Sequence, residues 1–160
     1  MHMDEKVYIG DDKLSIKKVV SIANGAPVEL YAQAKERIAA ARALVEAKLA
    51  EEQPVYGVTT GFGALAETNI PKDQLCALQE NLILSHAAGV GRPLSRPETR
   101  AMLALRAQTL ATGHSGARLE LIESLLDLLN HHVHPVIPEK GSVGASGDLA
   151  PLAHLALTVI

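Results

Sequence analysis

Hydrophobic residues recur every three or four positions along most of this chain, which is the spacing of helices that bury one face. Between Leu30 and Leu49 charged residues separate the apolar positions, and we predict an amphipathic surface helix that begins near Pro27. Ser15 is a good N-cap, and it predicts a shorter helix that ends before Gly25.

Two segments depart from helical spacing. The run from Val7 to Leu14 predicts a short hairpin with its turn at residues 10–12. The run from Tyr56 to Gly63 predicts an extended stretch that passes into a glycine-rich loop.

Helical signals return in the second half of the chain. Pro71 begins a predicted helix that runs to about Ala88. Ser95 and Glu98 have the spacing of a capping box and open a helix predicted to end at about Ala111. Ser115 is then a candidate N-cap for a helix with a wide apolar face, formed by Leu119, Ile122, Leu125, Leu126 and Leu129.

From Asp148, a plausible N-cap, the chain is apolar on all sides, and only His154 and Thr158 interrupt the pattern. This predicts a fully buried helix. Because no capping glycine or polar tail follows it, we expect the chain to be a piece of a longer protein.

Composition narrows the class of protein. Apolar residues make up 48% of the chain, and most are good helix formers, so the predicted fold class is mainly α. The formal charge of -3 gives no reason to expect nucleic acid or a membrane surface as a partner. The single cysteine, Cys76, and the polar start of the chain favour a soluble, cytoplasmic protein.

The loop at residues 141–148 is built almost entirely from small residues and leads into the last predicted helix. A tight turn or a phosphate cradle would use such residues, but the Lys-Ser/Thr pair of a P-loop is missing. A third interpretation fits better. If the backbone is bent, the Gly147 nitrogen can close onto the Ala145 carbonyl, and Ser146 can lose water to leave a conjugated methylene. The positive end of the helix would favour electron flow into that electrophile.

These residues carry a family resemblance. The segment Gly-Ala-Ser-Gly-Asp-Leu-Ala-Pro-Leu-Ala at residues 144–153 resembles the signature of the aromatic amino acid ammonia-lyases without departure. In that family Ala-Ser-Gly becomes 4-methylidene-imidazol-5-one. The resemblance therefore implies that Ala145, Ser146 and Gly147 form the ring, with no metal and no nucleotide.

The segment at residues 56–63 resembles a second hallmark of the family, a loop that carries a catalytic tyrosine. The resemblance implies that Tyr56 removes the unactivated β-proton of the substrate. Because a phenol titrates at about pH 10, the site would have to favour its ionised form.

The segment at residues 79–91 resembles the helix on which the family selects its substrate. Ser85 and His86 match the histidine-acting branch, whereas members that act on phenylalanine or tyrosine carry an apolar or His-Leu pair there. Polar neighbours suit an imidazole substrate better than an apolar wall. This implies that Ser85 and His86 bind the substrate.

Three further histidines, His131, His132 and His134, have the composition of a metal site. Carboxylates and cysteines are missing beside them, and a predicted helix ends there. We therefore interpret these histidines as residues that cap the helix end.

The family resemblance implies non-oxidative elimination of ammonia from L-histidine, giving urocanate. Members of the family are several times longer than this chain. The family resemblance also implies a homotetramer with shared active sites and an ammonia-lyase/fumarase-like bundle of long helices. We divide the chain into residues 1–113, with the Tyr56 loop and specificity helix, and residues 114–160, the start of that bundle. The alternatives are a tyrosine or phenylalanine ammonia-lyase or aminomutase, and a non-catalytic helical fragment that is inactive alone.

Overall fold

The structure is a computed structural model that describes residues 6–11, 13–51, 54–144 and 148–160. The elements follow in the order β1 Val7–Ile9, α1 Ile16–Ala23, β2 Val28–Leu30, α2 Ala32–Ala50, α3 Leu75–His86, β3 Val90–Pro93, α4 Arg96–Ala111, α5 Leu119–Asn130, β4 Pro138–Lys140 and α6 Leu149–Ala156. Short 3-10 turns lie at Gly63–Leu65 and Lys72–Gln74. The prediction of a mainly helical fold is confirmed.

The first two strands correct the predicted hairpin. β1 pairs with β2 in parallel, with Val7 opposite Val28 and Ile9 opposite Leu30, and α1 connects the two strands. Buried and exposed side chains alternate along both strands, so each strand turns its apolar residues to the core. A parallel partner needs a crossover connection, which a local turn cannot provide.

The predicted start of the second helix is also wrong. Residues 28–30 form β2, and the helix begins at Ala32 rather than near Pro27. Proline is compatible with a helix start and with an extended strand end, because its fixed φ suits both. Beyond that point the helix prediction holds, with Ala34 and Ile38 buried.

The central helix of the core is α4. Ser95 accepts from the backbone N–H of Glu98, and the Glu98 carboxylate accepts from the Ser95 N–H at 2.7 Å, so the predicted capping box is present. Buried residues of α4 meet those of α1 and α5 in one apolar cluster, which includes Ile22, Leu103, Ala107, Ile122, Leu125 and Leu129.

Two later predictions need correction. α5 begins at Leu119 after Arg118, so Ser115 is not its N-cap. α6 is only partly buried in this chain: Ala150, Ala153 and Leu155 face the core, whereas Leu149 is 54% exposed. The helix packs against α3 and β4, and its residues Pro151, Leu152, His154 and Ala156 are half-buried. Within the described ranges, no helix combines the length and apolar character needed to cross a bilayer.

Candidate active site

Ser85 and His86 form the last turn of α3. The Ser85 hydroxyl donates to the Leu82 carbonyl oxygen at 2.9 Å, and His86 Nδ1 lies 2.8 Å from the same oxygen. Because a carbonyl oxygen only accepts, Nδ1 must carry a proton in this contact. In the neutral imidazole, Nε2 is then an acceptor, and among the described residues no hydrogen bond reaches it.

The Tyr56 loop has a buried base and an exposed tip. Thr60 is 1% exposed, and its neighbour Thr59 accepts from the Val55 N–H through its hydroxyl at 2.8 Å. Thr60 also forms an antiparallel bridge with Asn69, which closes the loop. Tyr56 itself is 63% exposed. The Tyr56 side chain is therefore exposed at the tip of a loop whose ends are held by buried threonines and a backbone bridge.

Phe62 supports the tyrosine ring at this tip. The two rings meet edge to face with centroids 5.6 Å apart. Gly57, which follows Tyr56 in the sequence, has a φ of +70°, and a Cβ on it would come within 2.9 Å of the Phe62 ring. The position therefore requires glycine for its backbone conformation and for space. In the part of the chain that the structure describes, no hydrogen bond joins Tyr56 to Ser85 or His86.

Ala145, Ser146 and Gly147, the predicted ring-forming residues, lie outside the described residues. Their described flanks approach each other closely. Gly141 has a φ of +135°, and a Cβ built on it would lie 3.4 Å from the Ala150 Cβ. Asp148 occupies the N-cap position of α6 without a side-chain capping bond. The described chain therefore returns close to itself between Gly141 and Ala150.

His154 is a residue whose contact the sequence did not predict. Its Nε2 accepts from the Gly89 N–H at 2.9 Å and so joins α6 to the segment that follows α3. The sequence carried one signal, since His154 is one of two polar interruptions in an apolar helix. The interruption marks a polar contact but does not identify the partner.

The histidines at residues 131–134 separate into different roles. His131 Nδ1 lies 2.9 Å from the Asp127 carbonyl oxygen and caps the end of α5, as predicted. His132, at a φ of +55°, lies 3.4 Å from a guanidinium nitrogen of Arg100. Burial lowers the pKa of His134, and the nearby Arg100 charge lowers it further. A metal-binding group of three His, Cys, Asp or Glu side chains is not present among the described residues.

Comparison with known proteins identifies a family to which this chain is similar. A family model described as aromatic amino acid lyase matches residues 14–160. A histidine ammonia-lyase of Myxococcus xanthus is 54% identical over 156 residues, covering 97% of this chain and 31% of that protein. The chain thus spans about a third of the length of the curated relatives it matches.

Solved structures agree with the sequence comparison. The histidine ammonia-lyase of Trypanosoma cruzi superposes with a TM-score of 0.85 at 43% identity, covering 96% of this chain and 29% of that one. A tyrosine aminomutase from Streptomyces globisporus superposes with a TM-score of 0.90 at 37% identity, covering 98% and 29%. The fold is therefore shared by relatives with different reactions, and the substrate must be argued from the site.

Proposed function

Because this chain belongs to the aromatic amino acid lyase family, we propose that the whole protein eliminates ammonia from L-histidine and releases urocanate. The observation that carries the proposal is the hydrogen bonding of His86. With Nδ1 donating to Leu82, the ring offers Nε2 as an acceptor to an imidazole N–H. The higher identity to histidine ammonia-lyases than to the aminomutase supports the same substrate.

The second proposed role is removal of the substrate β-proton by Tyr56. The substrate β-proton is not activated, so a strong base must remove it, and a phenolate is strong enough. The exposed ring at the loop tip supports this role, because it leaves the oxygen available to a substrate that other segments would enclose. We propose that Ser85 assists His86 in binding the substrate, because its hydroxyl, which donates to Leu82, lies 3.1 Å from Nδ1 and can accept from it.

The cofactor is proposed to be 4-methylidene-imidazol-5-one, built from Ala145, Ser146 and Gly147. This group would supply an electrophilic alkene that activates the substrate. The approach of Gly141 to Ala150 supports a bend at that place. Asp148 and the following turn of α6 would hold the downstream end of the bend.

The remainder of the pocket is proposed to come from other segments of the protein and from further copies in a homotetramer, in the cytoplasm. The surface of α3 supports this proposal, since none of its residues is buried and Leu84 is 60% exposed. Residues that complete the substrate pocket would cover this helix.

The direct test is Ser146→Ala in the whole protein. Without the serine hydroxyl no methylene can form, so the ultraviolet absorbance of the ring should disappear together with nearly all urocanate production. Ser124→Ala is the matched control, because Ser124 is exposed on α5 and its hydroxyl donates only to the Glu120 carbonyl oxygen. Turnover that survives in Ser146→Ala would refute the proposal, and turnover of tyrosine or phenylalanine in preference to histidine would assign the alternative substrate.

A further inference from the structure

Three segments meet at Gly89 in a contact without spare room. A Cβ on Gly89 would lie 3.0 Å from His154 Nε2 and 3.2 Å from the Lys140 carbonyl oxygen. A Cβ on Gly141 would lie 3.0 Å from the Gly89 Cα and 3.4 Å from the Ala150 Cβ. We call these residues, Gly89, Gly141, Ala150 and His154, the Gly89 clamp.

The clamp joins parts of the chain that the proposed chemistry needs together. Gly89 follows His86 by three residues, so its Cα is at most about 11 Å from the Cα of His86 along the chain. Gly141 lies just upstream of the small-residue loop, whereas Ala150 and His154 lie downstream on α6. Both ends of the loop at residues 142–148 are thus held beside the end of the specificity helix.

The hydrogen bond in the clamp defines the state of the histidine. The Gly89 N–H donates to His154 Nε2 at 2.9 Å, so Nε2 carries no proton and the neutral ring is protonated at Nδ1. A protonated imidazole has no acceptor and could not make this bond. The same ring also fills the space where a Gly89 side chain would be.

We propose that His154 is a positioning residue, whose Nε2 acceptor fixes Gly89 and thereby holds the ends of the 142–148 loop for ring formation. The inference rests on the proposed function, in which ring closure joins the Gly147 nitrogen to the Ala145 carbonyl carbon. One water takes that carbonyl oxygen with the amide hydrogens of Ser146 and Gly147. The second water takes the Ser146 hydroxyl and its Cα hydrogen, leaving the methylene.

The physical basis is the entropy of bringing two backbone groups together. A loop whose ends are not held must lose conformational freedom before the Gly147 nitrogen can reach the Ala145 carbonyl carbon. A clamp that already holds the loop ends removes part of that loss, and small misplacements of reacting groups slow a reaction by about a hundredfold. The clamp also fixes the loop relative to His86, so it sets where the substrate imidazole would lie.

The test compares two His154 variants of the whole protein. His154→Phe keeps the ring volume but removes the acceptor, whereas His154→Gln places an amide oxygen near the position of Nε2. Each protein is made by cell-free synthesis, and intact mass is followed over time for the loss of two waters. We expect about tenfold to hundredfold slower loss in His154→Phe and a rate near that of the unmodified protein in His154→Gln.

The control is His131→Phe, at an exposed histidine that caps the end of α5 and is not part of the clamp. It should lose two waters at the unmodified rate. A His154→Phe rate within twofold of the unmodified protein would overturn the inference. Equal slowing in both His154 variants would also overturn it, because the acceptor would then not be the cause.

Gly89→Ala tests the same hydrogen bond at its donor residue, and it is the variant to use if His154→Phe does not fold. Its added methyl would displace the imidazole without removing it, so water loss should again slow. If the two changes act through one contact, the double variant should be no slower than the slower single variant; a normal rate in Gly89→Ala would contradict the inference. The proposed function is judged separately, since an unmodified protein that loses two waters but leaves L-histidine intact would refute the function alone.

Discussion

His86 has two ring nitrogens with different environments, and under the proposed function this difference would supply a substrate preference. Nδ1 is held by the Leu82 carbonyl oxygen at 2.8 Å, so the ring orientation is set by its own helix. Among the described residues no hydrogen bond reaches Nε2, so in the proposed function it would accept from the substrate. A substrate with an N–H at the matching place gains a hydrogen bond, whereas an apolar ring leaves the acceptor unpaired.

The prediction at this scale is made for His86→Leu in the whole protein. Loss of the acceptor should raise KM for L-histidine about tenfold, because an unpaired buried N–H destabilises the complex by about 1 to 3 kcal/mol. Initial rates measured against L-histidine and L-tyrosine check the result. His114→Leu, at an exposed loop histidine, is the control. An unchanged KM for histidine in His86→Leu would remove His86 from the substrate pocket.

Single residues also show what the sequence could and could not reveal. The placement of Ser85 and His86 together at one helix end could be predicted from the sequence, because neighbours in sequence are neighbours on a helix. The contact of His154 with Gly89 joins residues 65 positions apart, and no local pattern predicts such a pair. The exposure of Tyr56 was equally beyond the sequence, since it depends on which segments fold over the loop.

At the scale of elements, Arg100 connects three parts of the core. Its side chain is 3% exposed, and its guanidinium donates to the carbonyl oxygens of Ile22 and Leu129, each at 2.7 Å. It also reaches the Ala26 carbonyl oxygen at 3.4 Å. These oxygens lie at or near the ends of α1 and α5, where helix carbonyls lack partners within the helix. Arg100 therefore satisfies two helix ends from the middle of the core.

Arg100→Leu should lower the free energy of unfolding of this chain by about 3 kcal/mol, since buried carbonyl oxygens would lose charged donors. Urea unfolding followed by circular dichroism measures the change. Arg106→Leu is the matched control on the same helix; Arg106 is half-buried, and the expected change is about 0.5 kcal/mol or less. Equal stability of Arg100→Leu and the unmodified chain would show that the helix ends do not depend on this side chain.

The elements that the sequence predicted are those with local signals. Ser95, Glu98 and the following apolar positions predicted α4 to its last residue, because capping and periodicity both lie within the helix. The sequence analysis predicted the wrong partner for β1. Val28 lies beyond an intervening helix, and strand pairing over that distance along the chain leaves no local sequence pattern. Ser115 failed as a cap because serine favours turns as well as helix starts.

For the whole molecule, the chain forms a helical core around α4, with the Tyr56 loop and the Gly89 clamp at its periphery. The core accounts for the buried faces of α1, α4 and α5. It leaves Leu84 on α3 and Leu149 on α6 exposed, at 60% and 54%. The division at residues 113 and 114 stays a prediction, as does the assembly that would cover these helices.

The central claim is that an ordinary tripeptide becomes the electrophile of a histidine ammonia-lyase. The most direct measurement is the mass of the peptide containing residues 145–147, taken from whole protein that is producing urocanate from L-histidine. The account predicts a peptide lighter than its sequence mass by two waters. Active protein in which that peptide retains its full mass would contradict it.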